Sequence, residues 1–162
     1  MIQFKALLSA LHEHDVSFII VGGVAATLHG SARVTYDLDI VYERSRENLE
    51  RIVEALAPFE PYLRGAPPGL PFRFDAETLE RGLNFTFTTT QGPIDLLGEL
   101  SGVGSFTNVR AHSAPAQLFG AAYQFLDLET LIKSKKAAGR AKDLEAIAEL
   151  EAIEEERRQD SP

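Results

Sequence analysis

Asp37-Leu38-Asp39-Ile40 alternates carboxylates with branched apolar residues, and that alternation dictates a strand with two unlike faces. Residues two apart on a strand point the same way, with their Cα atoms roughly 7 Å apart. Asp37 and Asp39 therefore share one face, while Leu38 and Ile40 turn into a core. Bare carboxylates held this close raise each other's pKa. A hard divalent cation, which prefers oxygen ligands, removes that penalty. The expected element is a rigid strand with a charged edge that suits a metal clamp.

The residues upstream add groups suited to an anion. Val16 to Val21 is rich in β-branched residues and reads as a buried strand ended by Gly22-Gly23. Val24 to His29 reads as a short helix closed by Gly30. A glycine pair lets the backbone approach a phosphate closely, and a helix start offers free N–H groups. Ser31, Arg33 and Thr35 supply further donors before Asp37, and Arg33 is the permanent cation of that stretch. Asp95, in Gly92-Pro93-Ile94-Asp95-Leu96-Leu97, is the candidate third carboxylate, because a lone acid in an apolar strand needs a partner or a metal. Glu99 is the other candidate. His29 reads as a helix C-terminal cap, and His12, His14 and His112 show no ligand spacing.

The remaining pattern completes an α+β (mixed α/β) domain: a small mixed sheet flanked by helices. Helices are expected over residues 2–13 and from Ser45, as N-cap, to about Leu56. The proline-rich stretch 58–75 reads as loop. Leu83 to Thr90 and Ile94 to Leu97 read as a hairpin around Gln91-Gly92-Pro93. Residues 98–116 read as loop with irregular structure, and Leu118 to Leu126 as two short strands around Gly120. Two helices follow, Leu128 to Ala138 and Ala141 to about Glu156, broken at Gly139. Residues 1–126 are expected to form the catalytic part and 127–162 a helical extension packed on it.

Composition narrows the function. A chain of 162 residues with 44% hydrophobic and 25% charged side chains can bury one real core. It has no cysteine, which excludes disulfides, zinc–thiolate sites and cysteine nucleophiles. No apolar run is long enough to span a bilayer and no signal peptide is evident, so a cytoplasmic location is expected. The net charge of -8 argues against a broad nucleic-acid footprint. Residues 133–142 nevertheless carry five basic groups and no acid. Among these, Lys133, Lys136 and Arg140 are spaced i, i+3 and i+7 and read as one helical face, either as solvated surface or as a cationic wall for a triphosphate.

Taken together, Gly22-Gly23, a spacer of thirteen residues and Asp37-Leu38-Asp39-Ile40 resemble the defining motif of the nucleotidyltransferase superfamily that includes DNA polymerase beta. With His29-Gly30, Arg33-x-Thr35 and the late segment Leu128 to Leu144, with Lys133, Lys136 and Gly139-Arg140-Ala141-Lys142-Asp143, the chain looks like small prokaryotic nucleotidyltransferases related to toxin–antitoxin and abortive-infection proteins. The second glycine stands where serine is often found, and the spacer is long. The resemblance implies a nucleoside triphosphate and magnesium, two ions, with manganese as the alternative, held by Asp37, Asp39 and Asp95. It implies transfer of a nucleoside monophosphate to a hydroxyl of a tRNA end, a protein or a small molecule, and a partner protein if the chain belongs to a toxin–antitoxin pair. A catalytically degenerate, antitoxin-like binding protein is the alternative.

Overall fold

The structure is a computed structural model that describes residues 4–161. Helix α1 (Phe4–Glu13) buries Leu7, Leu8 and Leu11; residues 2 and 3 of the expected helix lie outside the described residues. Strand β1 (Phe18–Val21) runs directly into helix α2 (Gly22–Leu28), and β2 (Leu38–Tyr42) returns antiparallel to β1. Helix α3 (Arg46–Leu56) begins at the expected cap, where the Ser45 hydroxyl accepts from the Asn48 N–H at 3.3 Å.

Strand β3 (Tyr62–Leu63) and helix α4 (Ala76–Arg81) follow, then the hairpin of β4 (Asn84–Thr88) and β5 (Ile94–Leu97). Strands β6 (Glu99–Leu100) and β7 (Gly104–Ser105) form a small separate pair before helix α5 (Phe106–Arg110). Strands β8 (Ser113–Leu118) and β9 (Ala121–Leu126) form a second hairpin. Helix α6 (Leu128–Ala138) stops at Gly139, which adopts a left-handed conformation (φ 65°), and a 3-10 turn over Ala141–Asp143 opens helix α7 (Leu144–Asp160).

Seven strands make one mixed sheet in the order β3-β4-β5-β2-β1-β9-β8. β2 lies parallel to β5 and β1 parallel to β9, while the other neighbours are antiparallel. The central strands β1 and β2 are buried along consecutive residues, so both of their faces are covered. This is the expected α+β class, with three local departures. Asp75 caps α4 by accepting from the Thr78 N–H at 2.8 Å, a signal present in the sequence but hidden among the prolines. Residues 98–116 are more ordered than a loop, containing β6, β7, α5 and the start of β8. The strand expected to begin at Leu118 ends there instead. Pro115 sits inside β8, which is tolerated because β8 is the sheet edge, and the turn to β9 is made by Phe119 and Gly120, both at positive φ.

Buried Asn48 joins α3 to the sheet. Its side chain accepts from the Ser17 N–H at 2.7 Å and donates to the carbonyls of Ser17 (3.1 Å) and Glu43 (2.8 Å). Asn48→Ala is expected to lower unfolding free energy by about 2–3 kcal/mol, measured by urea denaturation, because it leaves buried backbone groups without partners.

Candidate active site

The site is built on the junction of β2 and β5. In this parallel ladder Asp39 lies directly opposite Asp95, and neighbouring strands are about 4.8 Å apart, so the two carboxylates stand side by side on one face. Asp37 precedes β2 by one residue. The Leu38 N–H donates to the Pro93 carbonyl at 3.1 Å, which fixes Asp37 at the same sheet end. Carboxylate oxygens of Asp37, Asp39 and Asp95 all lie within 4.8 Å of one another. Glu99 begins β6 and is not in this group.

Asp39 is the most stressed of the three. Its Oδ1 is buried and has no hydrogen-bond partner. Burial, then the Asp95 and Asp37 carboxylates, hold its carboxyl well above the usual range, with Lys135 opposing. An orphaned buried oxygen among three converging carboxylates fits a hard divalent cation, and no nitrogen or sulfur ligand competes in the group. The glycine pair makes room for this arrangement. Gly22 takes φ +63°, and a Cβ there would run into the Asp39 carboxylate; a Cβ on Gly23 would run into the Thr35 side chain. The Thr35 hydroxyl donates to the Asp37 carbonyl at 3.3 Å.

A cleft of about 600 Å³ opens over the carboxylates. Gly23, Ser31, Arg33, Thr35 and Arg140 all line it, together with Asp37, Asp39 and Asp95. A second cleft, about 370 Å³, meets the first at Asp39, Asp95, Lys135 and Arg140, and adds Gly22, Leu97, Glu99 and Leu131.

Several donors around the first cleft are already engaged by α7. The Ser31 hydroxyl and the Ala32 N–H donate to Glu149 at 2.5 and 3.0 Å, and Arg33 pairs with Glu145 at 3.4 Å. The Ser31 hydrogen bond, then that of Ala32, holds the Glu149 carboxyl below its usual range. His29 ends α2 with its N–H on the Ala25 carbonyl at 3.1 Å; its Nε2 donates to the Leu126 carbonyl of β9 at 2.8 Å, and Arg157 donates to its Nδ1 and carbonyl.

Lys133 and Lys136 are not among the residues lining either cleft, and Lys136 pairs with Glu151 at 3.5 Å. Arg140 does not continue their helical face, because α6 ends before it. It donates to Asp143 at 2.6 Å instead.

Two cleft residues were missed by sequence reasoning. Arg64 follows β3 and donates to Asp95 Oδ1 at 2.7 Å and to the Phe87 carbonyl at 2.8 Å, with Asp37 Oδ2 3.6 Å away. Nothing local singles it out within the proline-rich stretch. Lys135 lies one turn beyond Leu131 and Ile132, both buried, so a lysine on the core-facing side of α6 was a legible signal. Its side chain is 17% exposed, and its Nζ lies 3.7 Å from buried Asp143.

Solved structures described as nucleotidyltransferase or antibiotic-resistance proteins share this fold over nearly the whole chain. One is the crystal structure of a "putative nucleotidyltransferase" (TM1012) from Thermotoga maritima, with TM-score 0.58 and 14% identity over 92% of this chain and 94% of that one. Another is the antibiotic-resistance factor ANT(2'')-Ia, with TM-score 0.54 and 17% identity over 97% of this chain and 90% of that one. No protein-family model and no curated protein sequence matches the chain.

The raised Asp39 pKa gives a signed pH dependence. A carboxyl whose folded pKa is raised contributes stability below the ordinary value of 3.8, and that contribution is lost as pH rises through the folded pKa. In EDTA, Asp39→Asn is expected to melt above the wild type at neutral pH. Its melting temperature should also fall less as pH rises from acid; equal profiles in thermal melts would contradict the stressed carboxylate.

Proposed function

We propose that this chain is a metal-dependent nucleotidyltransferase that moves a nucleoside monophosphate from a nucleoside triphosphate to a hydroxyl acceptor and releases pyrophosphate. The observation that carries the reading is the convergence of Asp37, Asp39 and Asp95 around a buried oxygen that no protein group satisfies. These three carboxylates would hold magnesium, two ions. When bound, the metal would neutralise the triphosphate, polarise the α-phosphorus and lower the pKa of the attacking hydroxyl.

The larger cleft takes the triphosphate. It gathers Arg33, Arg64, Lys135, Arg140 and Lys142 in a chain whose net charge is -8. Five acids, Asp37, Asp39, Asp95, Asp143 and Glu149, line the same cleft, so metal held by the three aspartates would leave a surplus of positive charge for a polyanion. The smaller cleft reaches the same carboxylates and takes the acceptor. Its added residues are mostly apolar, with Glu99 the one added charge, which favours a neutral or cationic hydroxyl compound over a phosphate-bearing RNA end. The acceptor oxygen attacks the α-phosphorus in line. Its bond to phosphorus forms as the bond to the bridging oxygen breaks, pyrophosphate leaves, and the hydroxyl proton passes to the Asp95 carboxylate. Residues 127–162 serve as the extension that walls the cleft, through Lys135, Arg140, Asp143 and Glu149.

Calorimetric titration of nucleoside triphosphates at millimolar magnesium tests this reading. Binding should require magnesium and should disappear in the Asp37→Ala/Asp39→Ala double variant. Labelled-nucleotide transfer should fall by more than a hundredfold, since removing even an outer partner of a metal ligand costs roughly 10–100-fold. A folded wild type that binds no triphosphate would sink the proposal.

A further inference from the structure

Three carboxylates crowded on one face of the central strands need positive charge whether or not a metal is bound, and Arg64 supplies it from a distant part of the chain. Its guanidinium spans the outer two acids, with one nitrogen 2.7 Å from Asp95 and the other 3.6 Å from Asp37. It makes no ion pair with Asp39, whose Oδ1 is the orphaned oxygen. A divalent ion touching all three carboxylates draws on Asp37 and Asp95, the same two groups that Arg64 now faces.

Arg64 sits just past a short edge strand, anchored by its N–H donating to the Thr86 carbonyl at 3.0 Å. β3 is two residues long and lies at the sheet edge, and Gly65 beyond it has open space around its Cα. The Arg64 side chain is 30% exposed and its buried Nε has no partner, so the guanidinium is held by its terminal nitrogens alone. Its bond to the Phe87 carbonyl does not involve the acids and can tether it within the cleft. Arg64 also lines the cleft assigned to the triphosphate.

We propose that Arg64 is a positioning residue that serves as the site's resident counter-cation. It braces Asp37 and Asp95 in the metal-free protein, competes with magnesium for them, and transfers its charge to the triphosphate when metal and nucleotide enter together. Magnesium alone must displace a bound cation, whereas magnesium with a triphosphate brings Arg64 a new anion. Entry of the two is thereby coupled. This rests on the reading of Asp37, Asp39 and Asp95 as metal ligands.

The test is calorimetric titration of magnesium chloride into nucleotide-free wild type, Arg64→Met and Arg64→Lys, each checked for folding by circular dichroism. Arg64→Met is expected to bind magnesium at least about tenfold more tightly than the wild type, because one competing charge beside the carboxylates is gone. Arg64→Lys keeps that charge and should stay within about threefold of the wild type. With magnesium saturating, α,β-methylene-ATP should bind Arg64→Met at least about fivefold more weakly, through loss of a charge-assisted contact. In EDTA, Arg64→Met should melt below the wild type and recover on adding magnesium.

Magnesium affinity in Arg64→Met equal to or weaker than wild type overturns the competition. So does an Arg64→Lys variant that binds magnesium as tightly as Arg64→Met. Unchanged binding of the analogue overturns the transfer to the triphosphate. Failure of the wild type and all variants to bind magnesium overturns both this proposal and the transferase reading, whereas wild-type binding with no gain in Arg64→Met overturns this proposal alone.

Discussion

Asp39 and Asp95 face each other across a parallel strand pair, and much of the surrounding structure answers the repulsion between them. Within the 4.8 Å that bounds these oxygens, and at an effective dielectric near 20, two full carboxylate charges repel by at least about 3.5 kcal/mol. Asp37 adds a third charge on the same face. The fold holds them together because the strands that carry them are core strands: Leu38, Ile40, Ile94 and Leu96 are fully buried on the opposite face. Neither strand can turn its acids away without exposing that apolar face. The remaining stress is divided among Arg64 on Asp37 and Asp95, Lys135 acting on Asp39, and a raised Asp39 pKa. The glycine pair belongs to the same arrangement, since any side chain at Gly22 would occupy the space of the Asp39 carboxylate.

Charge is redistributed on the scale of the whole domain. The chain is acidic, yet its main cleft collects cations from three separate regions: Arg33 before β2, Arg64 after β3, and Lys135, Arg140 and Lys142 around the break after α6. Buried Asp143 organises the last group by pairing with both Arg140 and Lys135. The acids of α7 have a structural task as well. Glu149 grips the turn after α2 through Ser31 and Ala32, and Arg157 grips the end of α2 through His29. The C-terminal helices therefore wall the cleft and hold the loop that leads from the glycine pair to Asp37.

Much of the local structure was legible because its causes are local. The alternation at Asp37 to Ile40 marked β2, Ser45 marked the start of α3, Gln91-Gly92-Pro93 marked the β4–β5 hairpin, and Gly139 marked the end of α6. The misses have equally specific causes. Asp75 was a good cap lost among prolines. Pro115 disguised β8, because a proline in a strand is acceptable only at an edge, and edge position is a property of the sheet rather than of the segment. The shared face of Lys133, Lys136 and Arg140 assumed an unbroken helix, while Gly139 turns the chain before Arg140.

The sequence by itself determined β1, α2, β2, α3, the β4–β5 hairpin and α6, the acid-bearing face of β2 and the glycine pair, because strand alternation, capping and backbone freedom act over a few neighbouring residues. It also singled out Asp95, as a lone acid in an apolar strand. Only the tertiary structure decided that β5 lies parallel beside β2 in the register that sets Asp95 against Asp39. It alone brought Arg64 across 31 residues of chain to Asp95, and turned Lys135 rather than Lys133 or Lys136 toward the cleft. Sheet order and register are settled by burial of the whole core and leave no trace in the spacing around Arg64, whereas the core-facing side of α6 that carries Lys135 was readable from Leu131 and Ile132.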